Sequence, residues 1–130
     1  MTEEKLTMKV LKGKYGVCRL DNTVLIPDWS SNCEFFSITR TSDELSIVCA
    51  QDNIPNDIKC ERDWRILKVE GQLDFSLIGI IASISTTLAQ KGISIFAIST
   101  YDTDYIMLKE KDLESAVNAL SYEGNKIIYQ

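Results

Sequence analysis

Two short stretches hold most of the polar groups able to do chemistry. The first is the run Ser99, Thr100, Tyr101, Asp102, Thr103, Asp104, set between the apolar segments "FAI" and "YIML". Hydroxyls and carboxylates of this kind cap the backbone of a hairpin turn. The same groups can hold a small ligand: Asp104 offers a counter-charge to a cation, Thr100 orients, and a flat Tyr101 covers an aliphatic part. Asp102 and Asp104, two positions apart, would share one face of a strand and could bind a divalent cation. The second stretch is "EGQLDFSLIG", in which Gly71, Asp74, Ser76 and Gly79 lead into an apolar helical pattern. A helix start presents N–H groups that attract a carboxylate, and Asp74 adds a second acidic group for an ammonium. An anion site, a cation site and a small wall are what a free amino acid requires.

Histidine is absent from the 130 residues. That removes the usual general base, zinc ligand and nucleophile activator. With no phosphate-binding glycine loop and no metal-ligand cluster in the sequence, the reading is of a non-enzyme without cofactor or metal. Cys18, Cys33, Cys49 and Cys60 are widely spaced and form no C-x-x-C pair. They read as reduced core or strand residues.

The elements that must position these groups are clearest after Asp63. "DWRILKVEG" reads as a buried strand ending at Gly71. Leu77, Ile81, Ile84 and Leu88 then define one helix face, with Ser76 as N-cap and Gly92 as the stop. "ISIFAIST" and "DYIMLKE" are strands flanking the polar turn. A second helix has Leu113, Val117 and Leu120 on one face and ends at Gly124, and "KIIY" is a last strand. The order β-α-β-β-α-β is the ferredoxin-like split βαβ arrangement. In it the first and third strands pair at the sheet centre, which brings the loop after the first strand toward the polar turn.

The first half reads as mostly β. Two short strands break at Gly13, and an irregular crossing is pinned by Pro27. A hairpin, Phe35 to Arg40 and Glu44 to Gln51, closes through Thr41, Ser42 and Asp43. Both halves thus contain strand, Ser/Thr-rich turn, acidic residue, strand, as two divergent copies of one unit would. Trp29 and Trp64 read as core or interface anchors.

Composition narrows the classes of partner. Fourteen basic residues stand against 19 acidic, a net charge of −5. No basic run exceeds a pair, which disfavours nucleic acid and anionic membrane. "MTEEKLTMKV" has no apolar core of a signal peptide, and no apolar stretch is long enough to span a bilayer. A cytoplasmic protein is expected.

From Trp64 to Gln130 the chain resembles the ACT domain, a small ligand-sensing module of amino-acid biosynthetic enzymes. The residues that carry the likeness are "FSLIGIIASISTTLAQKGISIFAISTYDTDYIMLKEKDLESAVNAL", above all "GISIFAISTYDTDYIMLKEKDL". Within the family this is similar to small bacterial tandem ACT-like proteins and to the cytosolic arginine sensors of animals. "CEFFSITRTSDELSIVC" resembles their first ACT-like unit. The resemblance implies an α+β chain of two tandem ferredoxin-like units, 1–62 and 63–130, the first mostly β with reduced helices. It also implies a regulatory module without catalytic residues, binding its ligand at an ACT–ACT boundary. Ser99, Thr100, Tyr101 and Asp104 match a Ser-Thr-aromatic-x-x-Asp turn that holds the ligand. Gly71, Asp74, Leu77, Ile78 and Gly79 match the loop after the first strand. Here Asp74 and Gly79 are separated by four residues, wider than the aspartate-x-x-glycine spacing of typical ACT loops, which leaves the ligand's identity open. An amino acid or similar metabolite as ligand and a homodimer as assembly are the expectations. The alternative is a dimerisation or protein-interaction module that takes no ligand.

Overall fold

The computed structural model describes residues 6–70 and 79–130. Its strands and helices run β1 (Thr7–Val10), β2 (Tyr15–Leu20), β3 (Ser37–Arg40), β4 (Leu45–Ala50), β5 (Cys60–Val69), α1 (Ile80–Ala89), β6 (Phe96–Ser99), β7 (Asp104–Lys109), α2 (Leu113–Tyr122) and β8 (Lys126–Tyr129). The fold is α+β. Contacts divide the chain into two compact units, Met1–Lys12 with Arg65–Gln130, and Gly13–Trp64.

In the larger unit, β5 begins the β-α-β-β-α-β order and pairs with β7, as first and third strands of that fold should. Strand β6 is antiparallel to β7, from Phe96 opposite Met107 to Ser99 opposite Asp104. The N-terminal strand is the departure. β1 lies between β5 and β8, antiparallel to the first (Met8 opposite Val69) and parallel to the second (Thr7 opposite Lys126). It therefore groups with the C-terminal unit, whereas a division at 62/63 puts it in the other. The cause is visible in its alternation: Met8 and Val10 are buried in one core with Leu67 and Val69 of β5 and Ile106 and Leu108 of β7. Ile84 and Leu88 of α1, and Ala116 and Leu120 of α2, join the same core. Both helices thus cover one face of this sheet.

Helix α1 begins at Ile80 with Gly79 as N-cap in the left-handed region, φ 83°. The N-cap expected at Ser76 lies outside the described residues. The expected stops hold. Gly92 and Gly124 have φ of 72° and 98°, and the N–H groups of Ile93 and Asn125 reach back to the carbonyls of Leu88 and Leu120 at 3.1 Å each. That is the Schellman closure, which needs a left-handed residue and so favours glycine. The face of α2 centres on Ala116, Ala119 and Leu120, while Leu113 and Val117 flank it, only partly buried. Small side chains at the centre of the face let the helix approach its neighbours closely.

The smaller unit has strand order β3-β4-β2-β5, all antiparallel. It contains no α-helix; single 3-10 turns at Asp28–Ser30 and Gln51–Asn53 occupy its crossings. Its core is Cys18, Leu45, Ile47, Cys49 and Ile54, with Trp29 and Cys60 packed beside it. A Cβ on Gly16 would collide with Ile54 Cδ1 and stand 2.7 Å from Cys60 Sγ, so any larger residue there must push those side chains aside. Asp63 takes φ 68° within β5. Gln51 holds it, accepting from the Asp63 N–H at 2.6 Å and donating to its carboxylate at 3.1 Å.

Candidate functional site

The polar run folds as a hairpin turn between β6 and β7. The Thr100 N–H donates to the Thr103 carbonyl at 2.8 Å. The Thr100 hydroxyl donates to the same carbonyl at 3.0 Å and accepts from the Thr103 N–H at 3.3 Å. The Thr103 hydroxyl in turn donates to the Val69 carbonyl at 2.6 Å, and Thr103 is only 4% exposed. Val69 is the last residue of β5, so this bond fastens the turn to the point where the second stretch begins.

Around that anchor the expected residues separate. Ser99 and Asp104 face each other across the β6–β7 ladder. Period-two alternation puts Asp104 on the same face as the buried Ile106 and Leu108, the face that carries the helices. Asp104 is half-buried, Ser99 and Thr100 are exposed, and Tyr101 is 79% exposed. Asp102 belongs to the turn and Asp104 to the strand. The expected strand-borne pair of carboxylates is therefore not formed. Among the described residues no group of three or more His, Cys, Asp or Glu side chains is placed to hold a metal. Gly79 is described and exposed at the start of α1. Gly71, Asp74, Leu77 and Ile78 lie outside the described residues.

The sequence reading makes Thr103 one turn residue among several, and its anchor on the end of β5 is not among the expectations. Thr103 stands three positions after Thr100, the spacing of a turn closed by a hydroxyl, and that was its available signal. The Glu70 carboxylate accepts Lys9 at 3.4 Å and Lys68 at 3.6 Å, while its N–H donates to the Thr7 carbonyl at 2.8 Å. Lys9 and Lys68 are direct cross-strand partners, and one carboxylate between them offsets a like-charge pair that would otherwise be unfavourable.

The hairpin of the smaller unit repeats the turn. The Thr41 N–H donates to the Glu44 carbonyl at 2.9 Å, and the Thr41 hydroxyl accepts from the Glu44 N–H at 3.1 Å. Thr41-Ser42-Asp43-Glu44 thus corresponds to Thr100-Tyr101-Asp102-Thr103. Here the outer carbonyls have partners from β2 and its following loop. Arg19 Nη2 donates to the Asp43 carbonyl at 2.9 Å, and Asn22 Nδ2 to the Ser42 carbonyl at 2.8 Å. A cleft of about 650 Å³ lies elsewhere, between the C-terminal turn of α1 and α2, lined by Lys91, Asn118 and Tyr122 among others. It includes none of the turn residues.

A family model for the ACT domain matches residues 59–122, and a separate N-terminal-domain model matches residues 13–57. The chain is similar to the protein Atu0741 from Agobacterium tumefaciens, with 38% identity and a TM-score of 0.93 over 98% of this chain and 96% of that one. It is also similar to the human cytosolic arginine sensor for mTORC1 subunit 1, 27% identical over 104 residues. That match covers 72% of this chain and 32% of the sensor, so the chain spans about a third of the length of this relative. The aspartokinase alpha and beta subunits share the fold at 18% identity and a TM-score of 0.65, over 90% of this chain and 96% of that one. Residues 59–122 match the ACT domain, and the chain belongs to the ACT-domain family.

Proposed function

We propose that the chain is a non-catalytic regulatory module that binds an amino acid or a similar cationic metabolite. The ligand sits at a boundary between ACT units, one from each of two copies in a homodimer, and its occupancy alters association. In this reading Asp104 counters a cationic group, Ser99 and Thr100 orient the ligand and Tyr101 closes over it. The start of α1 at Gly79, with Leu77 and Ile78 before it, takes the carboxylate, and Asp74, in the same loop as Gly71, adds a second counter-charge to the ammonium. The observation that carries the reading is the repeated turn. In the smaller unit one of its carbonyls, that of Asp43, accepts from the Arg19 guanidinium, and the matching turn of the larger unit has the carboxylate of Asp104 one residue further on. Donors of that class suit both turns. The likeness to cytosolic arginine sensors supports a small amino acid as ligand and the cytoplasm as location. No helix among the described residues is long and apolar enough to cross a membrane.

The test is a thermal-shift screen against the twenty amino acids, repeated on Asp104→Ala. A ligand that binds only the folded state adds about 2.7 kcal/mol at a hundredfold excess over its dissociation constant. One amino acid that raises the midpoint of the parent chain and leaves Asp104→Ala unmoved supports the proposal. No shift with any of the twenty overturns it. The exposure of the turn's tip and the position of the cleft away from it favour the ligand-free interaction module as the second reading. That reading predicts an unchanged dimer by light scattering with and without every amino acid.

A further inference from the structure

The four cysteines, spread over the sequence from position 18 to position 60, all fall in the smaller unit and line one core. Three of them meet. Cys18 faces Cys60 directly across the β2–β5 ladder, and Cys49 lies opposite Gly16 across β2–β4. The Cys49 and Cys60 thiols are both near enough to influence the Cys18 thiol. Gly16 makes room for this gathering, since the Cys60 sulfur occupies the space a Cβ would take.

Register decides which pair can be joined. The Arg19 N–H donates to the Lys59 carbonyl at 3.0 Å, so Arg19 and Lys59 are a hydrogen-bonded pair. Cys18 and Cys60, one step along each strand, are then a non-hydrogen-bonded pair, with Cα atoms about 4.5 Å apart. A disulfide takes Cα separations of about 4.4–6.8 Å. Cys49 is a diagonal neighbour of Cys18, at about 7–8 Å, beyond that window. Cys33 is engaged separately, donating to the Phe35 carbonyl at 3.1 Å.

We propose that Cys18 and Cys60 form a reversible cross-strand disulfide that exchanges with small-molecule disulfides of the glutathione class. Cys60 is half-buried and Cys18 is 1% exposed, so Cys60 reacts first. Its thiolate attacks one sulfur of the small disulfide, and one small thiolate leaves and takes a proton from solvent. The Cys18 thiol then loses its proton to base from solvent, attacks the Cys60 sulfur and expels the second small thiolate, which also takes a proton from solvent. Two protein thiols have lost two electrons, and one small disulfide has become two thiols. The hydrogen bond between Cys18 and Cys49 holds the Cys49 thiol below its ordinary pKa and Cys18 above its own. Cys49 is thus the member of that pair that ionises first, and Cys18 keeps its proton until base removes it. Burial and the Cys18 thiol push Cys60 up to about 12. Exchange is therefore slow at neutral pH and speeds up about tenfold per pH unit below that value.

The experiment is incubation of the reduced full-length chain with glutathione disulfide near pH 8.5, acid quenching, intact-mass measurement and peptide mapping. The expected product is lighter by about 2 Da, carries a Cys18–Cys60 crosslink and reverts with dithiothreitol. Cys18→Ser should stop at a glutathione adduct on Cys60, and Cys60→Ser should form no bridge. A bridge through any other pair, glutathione confined to Cys33, or no bridge in the folded parent chain would overturn the proposal. The map is read on the parent chain, so the outcome does not depend on whether either variant folds.

Discussion

Thr103→Val is the sharpest perturbation of the turn. Valine keeps the shape of threonine and removes only the hydroxyl, which donates to the Val69 carbonyl at 2.6 Å from a position 4% exposed. That carbonyl has a defined direction. Between β1 and β5 the hydrogen-bonded positions are Glu70 with Thr7 and Ile66 with Leu11, so Val69 turns its backbone polar groups away from β1 and toward β7. An ordinary hydrogen bond contributes a net of about 1 kcal/mol, but a buried acceptor left without its donor costs about 1–3 kcal/mol. Thr103→Val should therefore lose about 1–3 kcal/mol in urea unfolding with an unchanged m-value. Thr103→Ser keeps the donor and loses one methyl, about 0.8 kcal/mol. Native-state hydrogen exchange should locate the loss at the ends of β5 and β7. The reasoning is refuted if valine unfolds within about 0.5 kcal/mol of the parent, the usual range for a neutral site, or if serine is destabilised as much as valine.

Two further outcomes follow from the smaller unit. Gly16→Ala drives a Cβ against Ile54 Cδ1 and to 2.7 Å from Cys60 Sγ, and should cost about 1–3 kcal/mol by overpacking, read by urea unfolding. Gly16→Ala combined with Ile54→Val should recover part of that loss. Stability should also fall in alkali. Burial raises Cys60 from 9.0 to about 12 and raises Tyr15 above 10.0. Both groups keep their protons in the folded chain at a pH where the unfolded chain gives them up. Their contribution is complete below about pH 9 and is lost as pH rises toward 12. The melting temperature of Cys60→Ser should decline less between pH 8.5 and 10.5 than that of the parent, and an equal decline in both would remove Cys60 from the account.

Much of the larger unit was legible because its signals are local. Apolar residues at helical spacing mark α1, and Gly92 and Gly124 end their helices through a left-handed conformation that few other residues adopt. Threonines, serines and aspartates mark both hairpin turns. The site was only half legible: residue types mark the turn, yet spacing alone put Asp102 on a strand face with Asp104 and left Thr103 without its anchor on Val69. Those two residues differ in role only because one occupies the tip of a four-residue turn and the other returns to the sheet.

By itself, then, the sequence determined the order of elements, their apolar faces, and the polar turn between β6 and β7. Tertiary structure decided which strands are neighbours. The alternation of Met8 and Val10 says which face of β1 is buried, but any strand could lie beside it, and only the assembled sheet puts it between β5 and β8. Cross-strand register likewise brings together Cys18, Cys49 and Cys60, which no sequence spacing relates, and turns Thr103 onto Val69. Periodicity is a property of one segment. Register is a property of two, and it is fixed only when their side chains pack.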